Sequence, residues 1–291
     1  MLLWVVAAKA APSSAQAPRV QVFFANYKNE EDLYHGIQSH MLRQQLPLGD
    51  VMYTVLNMGT EDSVRMEHIA AMQVEGKTVS ILEFSGYPAK AVGGAVIPYL
   101  LQRVDELTTG AITVISDSDV FLLHDGWDMY LEELMGVGYS LASINPRGES
   151  IHGPKSPFLD APEWNWLAYK TAAWAGAIRV DNILPVFQEK QMHDWGHWFK
   201  YYNNEHTLGT IHLWPGLRLA FPGKSAIIAG LTTPFAVHCF FGSRMRNEKD
   251  LDDMARFVMT NDEKQRLYHI AVDPAITHSL KALDEFALKG E

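Results

Sequence analysis

Residues Ala111–Trp127 read AITVISDSDVFLLHDGW, an apolar, β-branched run that stops abruptly in acid at Asp117-Ser118-Asp119. A continuous run of this kind marks a strand buried on both faces, the environment of a parallel sheet covered by helices. Side chains two apart on a strand leave the same face, so Asp117 and Asp119 are expected to converge while Ser118 points the other way. Ligands of open parallel sheets gather beyond the carboxyl ends of the strands, where this geometry puts both carboxylates. Oxygen donors there suit Mg2+ or Mn2+, with water and phosphate oxygens completing the shell. A turn that merely caps the following segment is the competing reading of the same triplet.

Toward the N-terminus, RVQVFFANY (Arg19–Tyr27), DVMYTVLNMG (Asp50–Gly59) and KTVSILEFS (Lys77–Ser85) read as strands. Helical periodicity fills Glu30–Leu46 and Ala89–Thr109, the second weakened by Gly93, Gly94 and Pro98. Toward the C-terminus, Trp127–Gly138 and Met192–Thr207 read as helices, Tyr139–Gly148 as a strand and Pro154–Trp166 as loop. Thr210–Phe221 and Thr233–Arg244 read as extended chain. Alternation of this kind predicts an α/β fold, a Rossmann-like, mostly parallel sheet sandwiched by helices in a single main domain. The expected divisions are a disordered leader over 1–19, the main domain over 20–248, and a helical C-terminal extension over 249–291 packed on it.

The formal net charge of -10 repels polynucleotides and no cluster of Lys and Arg offsets it, so no nucleic-acid partner is expected. Cys239 is the single cysteine, which excludes an intrachain disulfide and a thiolate metal cluster. The apolar run Leu2–Ala8 falls far short of the roughly 20 residues that span a bilayer. No transmembrane segment is expected, and the chain is assigned to the cytoplasm, at most peripheral to a membrane.

VISDSDVFLLHDGWDMYL (Val114–Leu131) resembles the metal-binding DXD segment of GT-A fold glycosyltransferases, particularly the broad family 2-like group. The order of features is also similar: an early strand and helix, the acidic pair in mid-chain, an acid in HDWGHW (His193–Trp198), and a late histidine in VHCFFGSR (Val237–Arg244). The resemblance implies a metal-dependent transfer of a hexosyl or pentosyl group from a UDP- or GDP-sugar to a glycan or other hydroxyl acceptor, with inversion. It makes Asp119 the principal ligand of Mn2+ or Mg2+, Asp117 its partner and His238 the third protein ligand. It makes Asp194 the base for the acceptor hydroxyl, although the group often shows Glu-Asp where this chain has His193-Asp194.

Other residues are read on their own chemistry. Arg244 is suited to bidentate pairing with phosphate oxygens, whereas Arg246 fits a solvated surface charge. Asn26 and Tyr27, just past the first strand, suit either a nucleobase contact or a turn with an aromatic cap. With Asp117 and Ser118, these residues and Arg244 form the expected donor-binding set. Six of the eight tryptophans lie between Trp164 and Trp214, and Trp164, Trp195 and Trp198 are candidates for an acceptor wall, although packing is the commoner role for each.

Three alternatives compete. His193 and His197 imitate a zinc-hydrolase helix, but with Asp194 for the usual Glu and Asn203 at the third-ligand position. The acidic pair also resembles the nucleophile site of haloacid-dehalogenase-like phosphatases, with Asp250–Asp253 standing in for their distal acids. A carbohydrate-binding protein without turnover would use the same aromatic, metal-containing crevice. PGKS (Pro222–Ser225) ends like a phosphate-binding loop, but the required earlier glycine falls on Arg218.

Overall fold

Strand β1 (Val20–Asn26) has no exposed position, and its side chains divide by the pleat. Val20, Val22 and Phe24 enter one core, and Phe23 and Ala25 enter a second on the opposite face. A strand apolar on both sides must lie inside a sheet covered on both faces. The computed structural model, which describes residues 17–74, 76–85, 96–145, 166–190, 195–218, 226–229, 234–239 and 261–272, shows that arrangement.

The first half contains α1 (Glu30–Leu42), β2 (Val51–Asn57), α2 (Ser63–Ala70), β3 (Gln73–Val74), β4 (Lys77–Glu83), α3 (Ile97–Leu107) and β5 (Ile112–Asp117). β1 pairs in parallel with β2 and β5, and β2 pairs in parallel with β4. The second half contains β6 (Val120–Leu122), α4 (Trp127–Gly136), β7 (Tyr139–Asn145), β8 (Trp166–Lys170), α5 (Thr171–Trp174), α6 (Val180–Glu189) and α7 (Trp195–His206). It continues through β9 (Thr210–Arg218), β10 (Ala226–Ala229), β11 (Ala236–Cys239) and α8 (Asn261–Val272). β8 lies antiparallel between β5 and β7, β7 and β9 are parallel, and β9, β10, β11 and β6 follow in antiparallel sequence. The longest ladders, β1 with β2, β1 with β5 and β7 with β9, are parallel, as the alternating pattern predicts.

The strand order runs β3-β4-β2-β1-β5-β8-β7-β9-β10-β11-β6, which puts β6 at the far edge from β3. Yet Ser118 and Asp119 alone separate β5 from β6, and so short a link reaches on the order of 10 Å. The sheet therefore curls back, and the late strand β11 is delivered beside the acidic triplet.

Helices α1, α2 and α4 seal one face with Leu33, Ile37, Met41, Met66, Trp127 and Leu131. Helices α3, α6 and α7 seal the other with Leu100, Leu101, Val104, Ile183, Trp198 and Phe199. Pro98 does not break α3, because it occupies the first turn, where its missing N–H has no intrahelical partner to lose. Gly93 and Gly94 lie outside the described residues. At the carboxyl end of α1, Lys77 Nζ donates to the Met41 carbonyl at 2.8 Å and favours the negative end of the helix dipole.

Several elements depart from the sequence reading, among them the unassigned helix α6 (Val180–Glu189). α2 was not expected; its start is set by Asp62, whose carboxylate accepts from the Arg65 N–H at 2.9 Å. The segment ending at Trp166 reads as loop, but Trp166 opens β8, which is buried on both faces through Tyr169. β5 stops at Asp117 rather than running through Asp119. Residues 1–16 of the expected leader lie outside the described residues. Within the expected C-terminal extension, α8 packs on α1. Among the described residues no helix is long and apolar enough to cross a membrane.

Candidate metal centre

Asp117, Asp119 and His238 each offer one ligand atom, and these atoms lie within 4.8 Å of one another. Strand alternation does not bring the two acids together, since β5 ends at Asp117 and Asp119 sits in the turn before β6. The third group arrives from β11, where antiparallel pairing sets His238 opposite Val120, the residue after Asp119. His238 Nε2 lies 3.5 Å from Asp119 Oδ1, and both side chains are 5% exposed. Asp117 is half-buried.

Two carboxylates gathered in a largely dry site repel each other, and desolvation adds to the cost of their charge. A dication removes both penalties. Donor atoms around one six-coordinate ion stand about 3–4 Å apart, and the Asp119–His238 separation falls in that range. Carboxylate oxygens alone suit magnesium, while an imidazole nitrogen moves the preference toward a first-row transition ion such as manganese.

The turn is braced by α1. Asn29 Nδ2 donates to Ser118 Oγ at 3.0 Å, and Ser39 Oγ accepts from the Leu122 N–H at 3.0 Å. Between them Gly36 lets the helix approach so closely that a Cβ would fall 3.0 Å from the Ser118 carbonyl oxygen and 3.2 Å from that of Val120. Ser118 itself is 5% exposed and engaged with Asn29, so its described role is to hold the turn.

The remaining donor-site candidates separate by exposure. Asn26 has no exposed surface. Its amide donates to Asn57 Oδ1 at 2.9 Å and to Glu30 Oε1 at 3.2 Å, and its oxygen accepts from the Asn29 N–H at 3.3 Å. The nucleobase contact expected of Asn26 is thus corrected: its amide is committed to tying β1 to β2 and α1. Tyr27 is 52% exposed. Its position is set by Lys28, which adopts φ 56 and donates its N–H to the Gly59 carbonyl at 2.9 Å, and whose ammonium stands 5.7 Å from the Tyr27 ring centre. A left-handed lysine costs backbone energy, which the surrounding hydrogen bonds offset.

The sequence reading did not single out the polar residues that close the strands on the far side of β1 from β5. Asn57 and Glu83 end β2 and β4 as Asn26 ends β1, and Asn57 Nδ2 donates to Glu83 Oε1 at 2.9 Å. The signal was present, since each is the polar residue that closes an apolar strand. Beyond β4, Glu83, Phe84, Tyr99 and Arg103 line a cleft of about 300 Å³ that holds none of the three convergent ligands.

Asp194, Arg244, Arg246, His193, Trp164 and Asp250–Asp253 lie outside the described residues. Trp198 is fully buried and packs on Trp174, Phe199 and Tyr202, so this member of the expected acceptor wall belongs to the core.

No protein-family model matches the chain, and no curated protein matches it. Among solved structures it is similar to a mannosyltransferase from Pyrobaculum calidifontis in complex with GDP-Man and Mn2+, at TM-score 0.47 and 15% identity over 70% of this chain and 57% of that one. It is also similar to mouse xyloside xylosyltransferase 1, at TM-score 0.44 and 11% identity over 68% of this chain and 85% of that one. A third is glucosyl-3-phosphoglycerate synthase from Mycobacterium tuberculosis in complex with Mn2+, UDP and phosphoglyceric acid, at TM-score 0.38 and 18% identity over 67% and 68%. The chain thus spans little more than half the length of the first of these, and likeness at this level assigns no activity.

Proposed function

We propose that this chain is a GT-A type glycosyltransferase that holds a nucleoside-diphosphate sugar against a divalent cation at Asp117, Asp119 and His238 and passes the sugar to a hydroxyl acceptor. The observation that carries the reading is the meeting of those three ligand atoms at the carboxyl end of the sheet. A second observation favours a cation-borne diphosphate. The amino end of α1, the usual anion site next to such a sheet, carries Glu30, Glu31 and Asp32 in its first turn. Those acids already complement the helix dipole, so a diphosphate there would meet negative charge. On an acidic surface, pyrophosphate needs a metal ion to bridge it to carboxylates.

A cation so held would stabilise the departing diphosphate as the glycosidic bond breaks. The chain's own groups do the rest. Asp117 and Asp119 supply oxygen donors, and His238 supplies nitrogen, a set that favours Mn2+ over Mg2+. Tyr27 offers an exposed ring at the rim as a platform for the base of a UDP- or GDP-sugar. Ser118 keeps the acidic turn in place through Asn29. Asp194 serves as the base for the acceptor hydroxyl in an inverting transfer, and Arg244 as a phosphate partner; both roles rest on the sequence reading alone.

The test is a thermal-shift series over UDP- and GDP-sugars with and without Mn2+, followed by measurement of released nucleoside diphosphate. The reading expects stabilisation by a nucleotide sugar only when Mn2+ is present, and slow release of nucleoside diphosphate. Metal-independent binding would refute the cation-borne donor, and sugar binding with no release would refute transfer and favour a carbohydrate-binding protein.

A further inference from the structure

Helix α8, the last described helix, docks on the element that braces the acidic turn. Asp32, on the first turn of α1, is 1% exposed. Lys264 Nζ donates to its Oδ2 at 2.8 Å, and the Tyr268 hydroxyl donates to its other oxygen. Lys264 and Tyr268 are four apart and share one face of α8. The Tyr268 ring stacks on His35, with centres 4.1 Å apart and planes at 13°. Further along, Arg43, which caps the carboxyl end of α1, donates to the Ala271 carbonyl at 3.3 Å. A buried carboxylate answered by a cation and a hydroxyl is a specific fastening, since losing the cation would leave a buried charge without its counter-ion.

The same ring reaches the second element of the site. Tyr268 lies edge-on to Phe121 at 5.6 Å. Phe121 follows Val120 in β6 and pairs with Val237 of β11, while Val120 pairs with His238. Tyr268 thus touches both structures that set the distance between Asp119 and His238. One is α1, which fits against the Ser118 and Val120 carbonyls through Gly36; the other is the β6–β11 ladder.

We infer that Asp32 and Tyr268 are positioning residues of the cation site, and that docking of α8 and occupancy of Asp117, Asp119 and His238 by a divalent ion are thermodynamically coupled. The inference rests on the proposed cation site. Coupling is reciprocal: if docked α8 raises affinity for the ion, the ion must tighten the docking of α8 by the same factor.

The full-length chain tests this with Mn2+ alone as the probe, its free fraction read by electron paramagnetic resonance. Tyr268→Ala and Asp32→Asn are each expected to weaken Mn2+ binding about tenfold, the scale of groups that orient metal ligands. Tyr268→Phe, which keeps the ring on His35 and Phe121 and loses the hydroxyl, is expected to fall between them and the unmodified protein. Ile183→Ala, a cavity variant in α6 on the opposite face, lowers thermal stability and is expected to leave Mn2+ affinity unchanged. In the unmodified protein, Mn2+ should slow hydrogen exchange at Leu267–Ala271. Mn2+ binding that is unaltered in both Tyr268 variants, or weakened as much by Ile183→Ala, overturns the coupling and leaves the cation site standing. Absence of Mn2+ binding to the unmodified chain overturns the cation site and the coupling with it.

Discussion

His238 Nε2 lies 3.5 Å from Asp119 Oδ1 because antiparallel pairing of β11 with β6 sets the histidine opposite the residue that follows the acid. This contact joins the middle of the chain to its last described strand, and it turns an acidic turn into a three-ligand site.

The pair gives a prediction of opposite signs. Asp119→Asn removes a buried charge beside another carboxylate, so without metal its melting temperature should equal or exceed that of the unmodified protein. With Mn2+, the unmodified protein should gain stability and the variant should not. His238→Ala should weaken Mn2+ binding by at least about 100-fold while weakening Mg2+ less, since only the softer ion draws strongly on imidazole. Calorimetric titration with each ion measures both, and equal losses for the two ions would remove His238 from the ligand set.

At the rim, neighbouring residues should respond differently. Tyr27→Ala is expected to weaken nucleotide binding about tenfold with little change in stability, because the ring is half-exposed and stacking on a base is worth roughly 1–3 kcal/mol. Asn26→Ala should instead lower stability by about 1–3 kcal/mol, since Asn57, Glu30 and the Asn29 N–H lose a buried partner. Nucleotide titration beside chemical denaturation separates the two outcomes.

A third prediction concerns pH. His40 has no exposed surface, and burial pushes its imidazole down from 6.5 to about 4, opposed in smaller measure by the hydrogen bond to Gly36. Its Nδ1–H donates to the Gly36 carbonyl at 2.8 Å and its Nε2 accepts from Trp166 Nε1 at 3.3 Å, an arrangement that fits the neutral ring. As pH falls, the unfolded chain takes up this proton first. The contribution of His40 is therefore complete above pH 6.5, declines down to about pH 4, and stays lost below it. The loss amounts to about 3 kcal/mol, measurable by urea denaturation across that window. His40→Gln should flatten that part of the profile, and an unchanged slope would show that other groups cause it.

The helix α1 connects these predictions. It carries His40 into the core beneath Trp166, presents Gly36 to the acidic turn, and offers Asp32 to α8. A displacement of this helix would therefore be felt both in stability and at the candidate ion site.

What the sequence determined was local. Apolar runs of the right length announced β1, β2, β4 and β5, and the 3.6-residue spacing of Leu33, Ile37 and Met41 announced α1, because each signal depends on neighbours a few positions apart. The acidic end of β5 was legible for the same reason. β8 was not, since Trp166–Lys170 follows a Pro-rich stretch, and its burial is supplied by β5 and β7 from elsewhere in the chain. Tertiary structure alone decided that Asn26 is an internal tie while Tyr27 faces solvent, because Asn57 and Glu30 reach Asn26 only after β1, β2 and α1 assemble. It also decided the meeting of Asp119 with His238: strand pairing between distant segments depends on which edges the curled sheet leaves free, and no short window of residues records that.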